Sequence, residues 1–165
     1  MSTMASHVSP AEFRAACGLF PSGVTVVTRT GRGGRPYGMT VSSFTSVSLD
    51  PPLILVCIDR SAGFLANMPP DLPFAVNVLR ERQQHLAQRF AERNEDDRFA
   101  GIEWHPGRKD VPLLAGTVAS FACSLRQTIE AGDHLILLAL VEEVRLHHGR
   151  ALVWCERAYH CLPPP

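Results

Sequence analysis

The chain has 165 residues, a length typical of one compact domain, and we predict a single domain. Its 16 Lys and Arg residues balance its 16 Asp and Glu residues, so the formal net charge is zero, which excludes the basic surface of a nucleic-acid-binding protein or a polybasic membrane anchor. Hydrophobic residues make up 45% of the chain, enough for a sizeable core, and the low charged fraction of 19% indicates that a partner subunit covers some surface.

Membrane and export signals are not evident. The longest apolar run, residues 135–141, is far shorter than the ~20 residues that a membrane-spanning helix needs. The first residues show no basic segment followed by an apolar one, so we expect a cytoplasmic protein. The five cysteines are odd in number and form no C-x-x-C pair, which predicts reduced thiols that are mostly small core residues.

The first predicted element is a helix. Ser9 can cap it, Pro10 suits its first position, and Glu12 completes a capping box. Residues 21–23 end it. The apolar positions that share one helical face are Phe13, Cys17 and Phe20.

Short apolar and β-branched segments follow, and they predict strands over residues 24–30, 37–40, 46–49, 53–58 and 74–79. Residues 31–36 are rich in glycine and predict the turn of a hairpin. Two helices are predicted between these strands and after them. One covers residues 61–68 and ends at two prolines, and the other covers residues 81–92, with Leu86 and Phe90 on one face. Residues 94–97 form a polar loop.

The second half of the chain consists mostly of strands. Apolar residues at 119, 121, 123 and 125 alternate with polar ones, which predicts a half-buried strand. Residues 135–141 are apolar on both faces, as expected for a barrel wall that also meets another subunit. A turn at 147–150 precedes a last strand over 151–155. About seven strands and two or three short helices, without regular β-α-β alternation, predict a mainly β fold, a small and mostly antiparallel barrel.

Hydroxyl groups are concentrated between Thr40 and Ser46, where five of the seven residues are serine or threonine. Hydroxyl and backbone N–H groups suit phosphate oxygens and the polar edge of a flat heterocycle. The alternative is a strand end whose hydroxyl groups bond their own backbone. Both interpretations are open from composition.

Three arginine-containing or polar segments are further candidates. Ser61 after Arg60 could cap a short helix whose N-terminus receives a phosphate, or serve as a plain cap. Arg89 could reach a phosphate or lie exposed at a helix end. The arginines of residues 80–98 are interleaved with acidic residues and predict a solvated face.

Asp133 and His134 follow a glycine between two strands, where the histidine could handle a proton, stack on a ligand or simply bond to Asp133.

Other classes of site are not supported. The glycines at 31–34 lack the third glycine of a dinucleotide fingerprint, because residue 36 is proline, and no Walker pattern is present. The remaining histidines show no metal-ligand spacing, so we predict no metal site. The G-x-S-x-G pattern of many serine hydrolases is missing.

Together these segments resemble one family. Residues 13–14, 23–28, 38–52, 74–79, 98–101 and 132–134 are similar, in this order, to the short-chain NAD(P)H:flavin reductases, the reductase components of two-component flavin-dependent monooxygenases. The combination of the segment 38–52 with the Gly-Asp-His of 132–134 is the most specific part. The resemblance covers about residues 12–162.

The resemblance implies an FMN-binding split β-barrel, of antiparallel Greek-key topology, that works as a homodimer. It implies hydride transfer from NADH or NADPH to FMN or FAD, with the reduced flavin supplied to a separate monooxygenase. Flavin-binding residues implied around the isoalloxazine and ribityl groups are Thr40, Val41, Ser42, Ser43, Phe44, Ser46 and Val47. Those implied on the phosphate side are Cys57, Arg60, Ser61, Ala62, Arg89, Phe90 and Ala91.

The resemblance also implies a nicotinamide site. His134 corresponds to the family histidine that contacts the nicotinamide, and it is the one candidate catalytic residue; Asp133, Tyr159 and His160 would line the same site. We expect His134 to orient the nicotinamide rather than to transfer an essential proton. A flavin-binding module without turnover of its own is the alternative function, and a haem-binding or pyridoxal-oxidase barrel is a weaker third. The sequence does not distinguish FMN from FAD or NADH from NADPH.

Overall fold

A computed structural model describes residues 8–92 and 97–164. Two α-helices, α1 (Pro10–Gly18) and α2 (Gln84–Ala91), accompany twelve strands in these ranges. The strands are β1 (Ser22–Gly23), β2 (Thr25–Thr30), β3 (Pro36–Val41), β4 (Thr45–Leu49), β5 (Pro52–Asp59), β6 (Pro73–Val78), β7 (Trp104–Pro106), β8 (Pro112–Leu114), β9 (Ala119–Ala131), β10 (His134–Leu146), β11 (Leu152–Cys155) and β12 (Ala158–Cys161).

The main sheet has seven antiparallel strands in the order β3-β2-β6-β9-β10-β5-β4. The mainly β, antiparallel prediction is therefore confirmed. The sheet curls around one hydrophobic core, because Val41 of β3 and Ile54 of β5, near its two ends, belong to the same buried cluster as Val76 and Leu137 of its centre. A second cluster forms where α2 packs over β2 and β3, with Leu86 and Phe90 buried as their spacing predicts.

Two small sheets complete the fold. One joins β1, β11 and β12, and the other is the hairpin of β7 and β8. Of these five short strands only β11 was predicted, and the sequence did not predict the other four. They are two to four residues long, too short to establish a period of two.

The predicted helix over residues 61–68 is wrong. The segment contains only a single 3-10 turn, Gly63–Leu65. Asn67 adopts a positive φ of 53° just before the two prolines, so the chain leaves helical geometry before a second turn can form. The predicted helix over 81–92 is shorter than expected and begins at Gln84. Of the polar loop predicted at 94–97, residues 94–96 lie outside the described residues.

The prediction for α1 is correct in its start but not in its burial. Ser9 and Glu12 form the predicted capping box. The apolar face is exposed, with Phe13 at 64% and Phe20 at 78% exposure. The cysteines also differ from the prediction, since only Cys123 is buried, although all five thiols are free.

The face of β9 that was predicted to be polar and exposed is covered. Ser120 and Ser124 are buried because the 104–114 segment lies over this face. Asn77 of β6 fixes that segment: its Oδ1 accepts from the backbone N–H of Leu114 at 2.9 Å and from Oγ of Ser120 at 3.1 Å. Within the described ranges, neither helix is long and apolar enough to cross a membrane.

Candidate functional site

A cleft opens at the edge of β3, where the curled sheet brings β3 towards the end of β5. It has a volume of about 400 Å³, and we call it the main cleft. In the described part of the chain β3 pairs only with β2, so its other edge faces this cleft with unpaired strand positions. The walls come from β3, from the turn after β5, from the C-terminal end of α2 and from Arg98.

A glycine determines how closely α2 approaches β3. A Cβ atom on Gly38 would lie 2.9 Å from the ring of Phe90, so only glycine allows this contact. Two residues on, Oγ1 of Thr40 donates to the backbone carbonyl of Ala87 at 2.7 Å. These two contacts hold Phe90 and Ala91 at the cleft wall.

The turn after β5 forms the opposite wall. Oδ1 of Asp59 accepts from the backbone N–H of Ser61 at 2.8 Å and from its hydroxyl at 2.6 Å. This is an Asx turn rather than a helix N-terminus, so the predicted helix start at Ser61 is wrong, whereas its role on the phosphate side stays a prediction. The hydroxyl of Ser61 and the backbone of Ala62 and Gly63 nevertheless line the cleft.

Arg98 supplies the positive charge of the main cleft. Its Nη1 donates to the carbonyl of Gly38 at 2.9 Å, its Nη2 donates to the carbonyl of Glu92, and its guanidinium lies 5.8 Å from the ring centre of Tyr37. Its Nε is buried and has no hydrogen-bond partner among the residues that the structure describes. The interpretation of this arginine as part of a solvated face is therefore wrong.

The arginines that the sequence singled out are placed differently. Arg89 donates from Nη2 to the carbonyls of Asp97 at 3.3 Å and Ala100 at 2.9 Å, so it holds the following loop. Arg60 is exposed and pairs with Glu130 at 3.4 Å. Neither lines the main cleft.

A smaller pocket of about 240 Å³, the side pocket, continues from the main cleft past Thr40 and Ala91. Ser42, Trp154 and Tyr159 line its far end. The rings of Trp154 and Tyr159 meet edge to face, with centroids 4.7 Å apart. Burial raises the pKa of Tyr159, which keeps its hydroxyl protonated at neutral pH.

Other predicted flavin-binding residues lie outside these two pockets. Oγ of Ser43 accepts from the backbone N–H of Cys57 at 2.8 Å and donates to its carbonyl at 3.0 Å, so Ser43 ties the chain after β3 to β5. Val41 is buried in the core, and Phe44 packs on Phe121. Ser46 and Val47 are exposed on the edge strand β4.

The predicted nicotinamide residues fall into two groups. His134 begins β10 and is paired in register with Asp59, a residue of the main cleft. Its Nδ1 lies 2.7 Å from Oδ1 of Asp133, and its side chain is 43% exposed. Tyr159 lies in the side pocket, whereas His160 is exposed with Nε2 3.1 Å from the carbonyl of Cys155.

The structure thus gathers part of the predicted set. Six predicted flavin-binding residues and one predicted nicotinamide residue line the two pockets: Thr40, Ser42, Ser61, Ala62, Phe90, Ala91 and Tyr159. Sequence reasoning missed Tyr37 and Arg98, although residues 98–101 were among the segments that carry the family resemblance. Among the residues that the structure describes, no group of three or more His, Cys, Asp and Glu side chains is arranged to hold a metal ion.

The chemistry of the combined pockets fits a flavin. A flavin needs a flat apolar slot with a few hydrogen-bonding groups at its edge and a cationic end for phosphate. Met39 and Phe90 provide apolar surface, and the Thr40 and Ser61 hydroxyl groups lie beside it. Arg98 adds a positively charged guanidinium to the lining, the kind of group that suits a phosphate.

Comparison with known proteins identifies the class. Residues 17–163 match the flavin reductase like domain family, so the chain belongs to this family. It is 46% identical over 132 residues to a probable flavin reductase of Rhizobium meliloti, which covers 80% of this chain but only 42% of that protein. It is also 38% identical over 161 residues to the flavin reductase (NADPH) of Lentzea aerocolonigenes, which covers 96% of this chain and 94% of that protein.

A solved structure gives the same result. The NADH:FAD oxidoreductase SgcE6 of Streptomyces globisporus, in complex with NAD and FAD fragments, superposes with a TM-score of 0.86 at 36% sequence identity. The match covers 97% of this chain and 98% of that one.

Proposed function

We propose that this protein is an NAD(P)H:flavin oxidoreductase that transfers a hydride from NADH or NADPH to FMN or FAD. The observation that carries the proposal is the main cleft itself, where apolar and hydroxyl-bearing side chains beside β3 lie next to the positively charged Arg98. Membership of the flavin reductase like domain family supports it. Relatives named for NADPH and for NADH both occur, at 38% and 43% identity, so either nucleotide remains in the proposal.

The flavin-binding roles divide along the two pockets. Thr40, Ser42 and Tyr159 would border the flat ring system, and Ser61 with Arg98 would hold the anionic end. When bound, the flavin supplies the hydride-accepting chemistry, so the chain needs no general base of its own. Ser43 and Cys57 would act through the hydrogen bonds between the Ser43 hydroxyl and the Cys57 backbone, by holding the chain beside the cleft.

His134 is proposed to orient the nicotinamide. Its strand register places it next to Asp59, at one margin of the main cleft. Asp133 fixes the ring by its contact with Nδ1. The backbone N–H of Arg60 donates to the carbonyl of Asp133 at 3.0 Å, which couples this turn to the cleft wall at Ser61.

We also propose that the domain is a split β-barrel that assembles as a homodimer, in the cytoplasm. The curled sheet with its two free edges supports the barrel. Several large apolar side chains are exposed in the single chain, among them Leu49 at 96% and Leu146 at 77%, and a second copy would cover such surface. The mass measured by light scattering after gel filtration tests the dimer; a monomer at all concentrations would contradict it.

A separate monooxygenase is the proposed receiver of the reduced flavin. The trigonelline monooxygenase reductase component of Acinetobacter baylyi and the reductase subunit HsaB of Mycobacterium tuberculosis, at 44% and 34% identity, are named for such systems. In this chain the cleft is open along β3, which leaves a route for flavin to leave.

The test is the oxidation of NADH and then NADPH with no flavin, FMN or FAD added. Oxidation only with added flavin supports a reductase that uses flavin as a diffusing substrate, and the rates rank both pairs. Oxidation by yellow protein without addition indicates a tightly held flavin. Flavin binding without oxidation in any combination would contradict the enzyme and favour a flavin-binding module.

A further inference from the structure

A third pocket adjoins the main cleft at Tyr37. It has a volume of about 650 Å³, and its lining includes Arg29, Arg35, Asn67 and Asp97 together with Tyr37; we call it the Arg29 pocket. Tyr37 lines both this pocket and the main cleft. The two spaces are therefore neighbours that share one aromatic side chain.

Tyr37 is flanked by two guanidinium groups. That of Arg29 lies 5.6 Å from its ring centre and that of Arg98 lies 5.8 Å from it. Arg98 lines the main cleft and Arg29 lines the Arg29 pocket, so each space has a cation against the shared wall. A Cβ atom on Gly63 would lie 2.9 Å from the Tyr37 hydroxyl, so a side chain at position 63 would collide with the tyrosine in its present position.

The charge of Arg29 is poorly compensated. The residue is 8% exposed, and its Nη2 donates to the carbonyls of Ala66 at 3.0 Å and Gly63 at 3.5 Å. Its Nε is buried without a hydrogen-bond partner, and within the described residues no carboxylate lies within 4 Å of its nitrogens. Burial lowers the pKa of Arg29, but a guanidinium stays charged at neutral pH. A buried cation in this state is stabilised by an anion.

The rim of the pocket adds a second cation. Arg35 is exposed in the β2–β3 turn, whose glycines carry no side chain that would fill the space. Among the lining residues that the structure describes, Asp97 is the acidic one, and its Oδ1 accepts from the backbone N–H of Phe99 at 3.2 Å. In this described lining two arginines therefore accompany one aspartate. Arginine is the side chain best suited to phosphate.

We propose that the Arg29 pocket binds the adenosine 5′-phosphate half of a dinucleotide whose other half lies in the main cleft. The inference rests on the proposed function. A pyrophosphate bridge would pass Tyr37, with Arg98 on one side and Arg29 and Arg35 on the other. FAD and NAD(P)H share this chemistry, so both are possible sources of the ligand, whereas FMN has no second half.

The first experiment measures binding rather than turnover. The dissociation constants of FAD and FMN are determined by fluorescence for the wild type and for Arg35→Ser, with Arg126→Ser, an exposed arginine on β9, as matched control. We expect Arg35→Ser to weaken FAD about tenfold and to leave FMN unchanged. If the ligand of this pocket is instead the nicotinamide dinucleotide, Arg35→Ser should weaken the binding of NADH by this factor. The binding of reduced nicotinamide mononucleotide and of FAD should then be unchanged.

Two outcomes overturn the inference. One is unchanged binding of FAD and NADH by Arg35→Ser, and the other is equal weakening of FAD and FMN. Adenosine 5′-phosphate alone provides a second arm by calorimetry: it should bind to the wild type with FMN already present and bind more weakly to Arg35→Ser. No binding, or displacement by FMN, would contradict the pocket. This arm does not depend on hydride transfer, so it fails separately from the proposed function.

Discussion

The ring of Phe90 lies where a side chain on Gly38 would stand, with Cε1 of Phe90 2.9 Å from the Cβ position. Strand β3 and helix α2 therefore meet at a contact that requires a residue without a side chain at position 38. The same contact positions Ala91, which belongs to both the main cleft and the side pocket. The width of the candidate site is thus set by a residue whose only chemical contribution is its small size.

Replacement of Gly38 by alanine should push α2 away from β3. We expect a loss of about 1–3 kcal/mol in the free energy of unfolding, since overpacking a closed core costs this much, together with weaker flavin binding. Urea unfolding and flavin titration measure the two effects. Gly18→Ala is the control, because a Cβ atom there would meet no atom within 4 Å. A Gly38→Ala protein as stable as the wild type would contradict the packing argument.

Arg98, rather than Arg60, should determine flavin affinity. Arg98→Lys keeps the charge but removes the planar guanidinium from the cleft lining, so we expect FMN and FAD to bind about tenfold more weakly. Arg60→Ser, which removes an exposed arginine paired with Glu130, should leave both affinities unchanged. If Arg60→Ser weakened flavin binding and Arg98→Lys did not, Arg60 would be the anion-binding residue instead. Equal weakening of FMN and FAD binding by Arg98→Lys would also distinguish Arg98 from Arg35, whose replacement should weaken FAD binding alone.

Local patterns predicted the elements that have a clear period. Leu86 and Phe90 recur at helical spacing, and both are buried in α2. The capping box at Ser9 and Glu12 needs only four consecutive residues and was correctly predicted. The helix predicted over residues 61–68 is absent. Composition suggested it, but the Asp59 side chain accepts from the backbone N–H of Ser61 and forms a turn at the position where the helix was expected to begin.

Long-range contacts account for the features that the sequence did not reveal. Ser120 alternates with apolar residues and looks exposed, yet it is buried because Asn77, 43 positions earlier, receives its hydrogen bond. Arg98 looks like one of many charges near α2, but its Nη1 reaches the carbonyl of Gly38, 60 positions away. A one-dimensional pattern carries no information about such pairs.

Asn77 should be one of the most sensitive positions for stability. Its Nδ2 donates to the carbonyl of Val26 at 3.1 Å and to Oγ1 of Thr28 at 3.0 Å, while its Oδ1 accepts from Leu114 and Ser120. Truncation to alanine leaves buried polar groups without partners, so we expect a loss of about 3 kcal/mol in urea unfolding. Gln127→Ala, at an exposed site on β9, should change stability by no more than about 0.5 kcal/mol. A similar effect of both variants would refute the role of the network.

Glu142 should contribute to acid sensitivity. The hydrogen bond from Lys109, at 3.0 Å, is the main cause that lowers the pKa of Glu142 below its ordinary value of 4.5, and Ser124 and Arg108 lower it further. The folded-state pKa is therefore below that of the unfolded state. The stabilisation is complete above the unfolded-state pKa and is lost as the pH falls through the folded-state value.

Glu142→Gln should accordingly show a smaller loss of stability on acidification than the wild type. Urea midpoints measured from about pH 7 down to about pH 3 test this, because the effect is confined to the carboxylate range. Glu103→Gln is the control, as this exposed residue pairs, within the described part of the chain, only with His105 at 3.7 Å. Parallel pH profiles for the wild type and Glu142→Gln would exclude the proposed contribution.

Replacement of His134 distinguishes the proposed enzyme from the alternative, a flavin-binding module without turnover. Its exposed ring next to Asp59 lies at the margin of the main cleft rather than in its lining. His134→Ala should therefore leave FMN and FAD affinities unchanged while it lowers kcat/KM for the nicotinamide nucleotide about tenfold, mainly through KM. His105→Ala, on β7, should alter neither quantity. Loss of flavin affinity in His134→Ala would move the histidine into the flavin site, and an unchanged kcat/KM would remove it from the nicotinamide site.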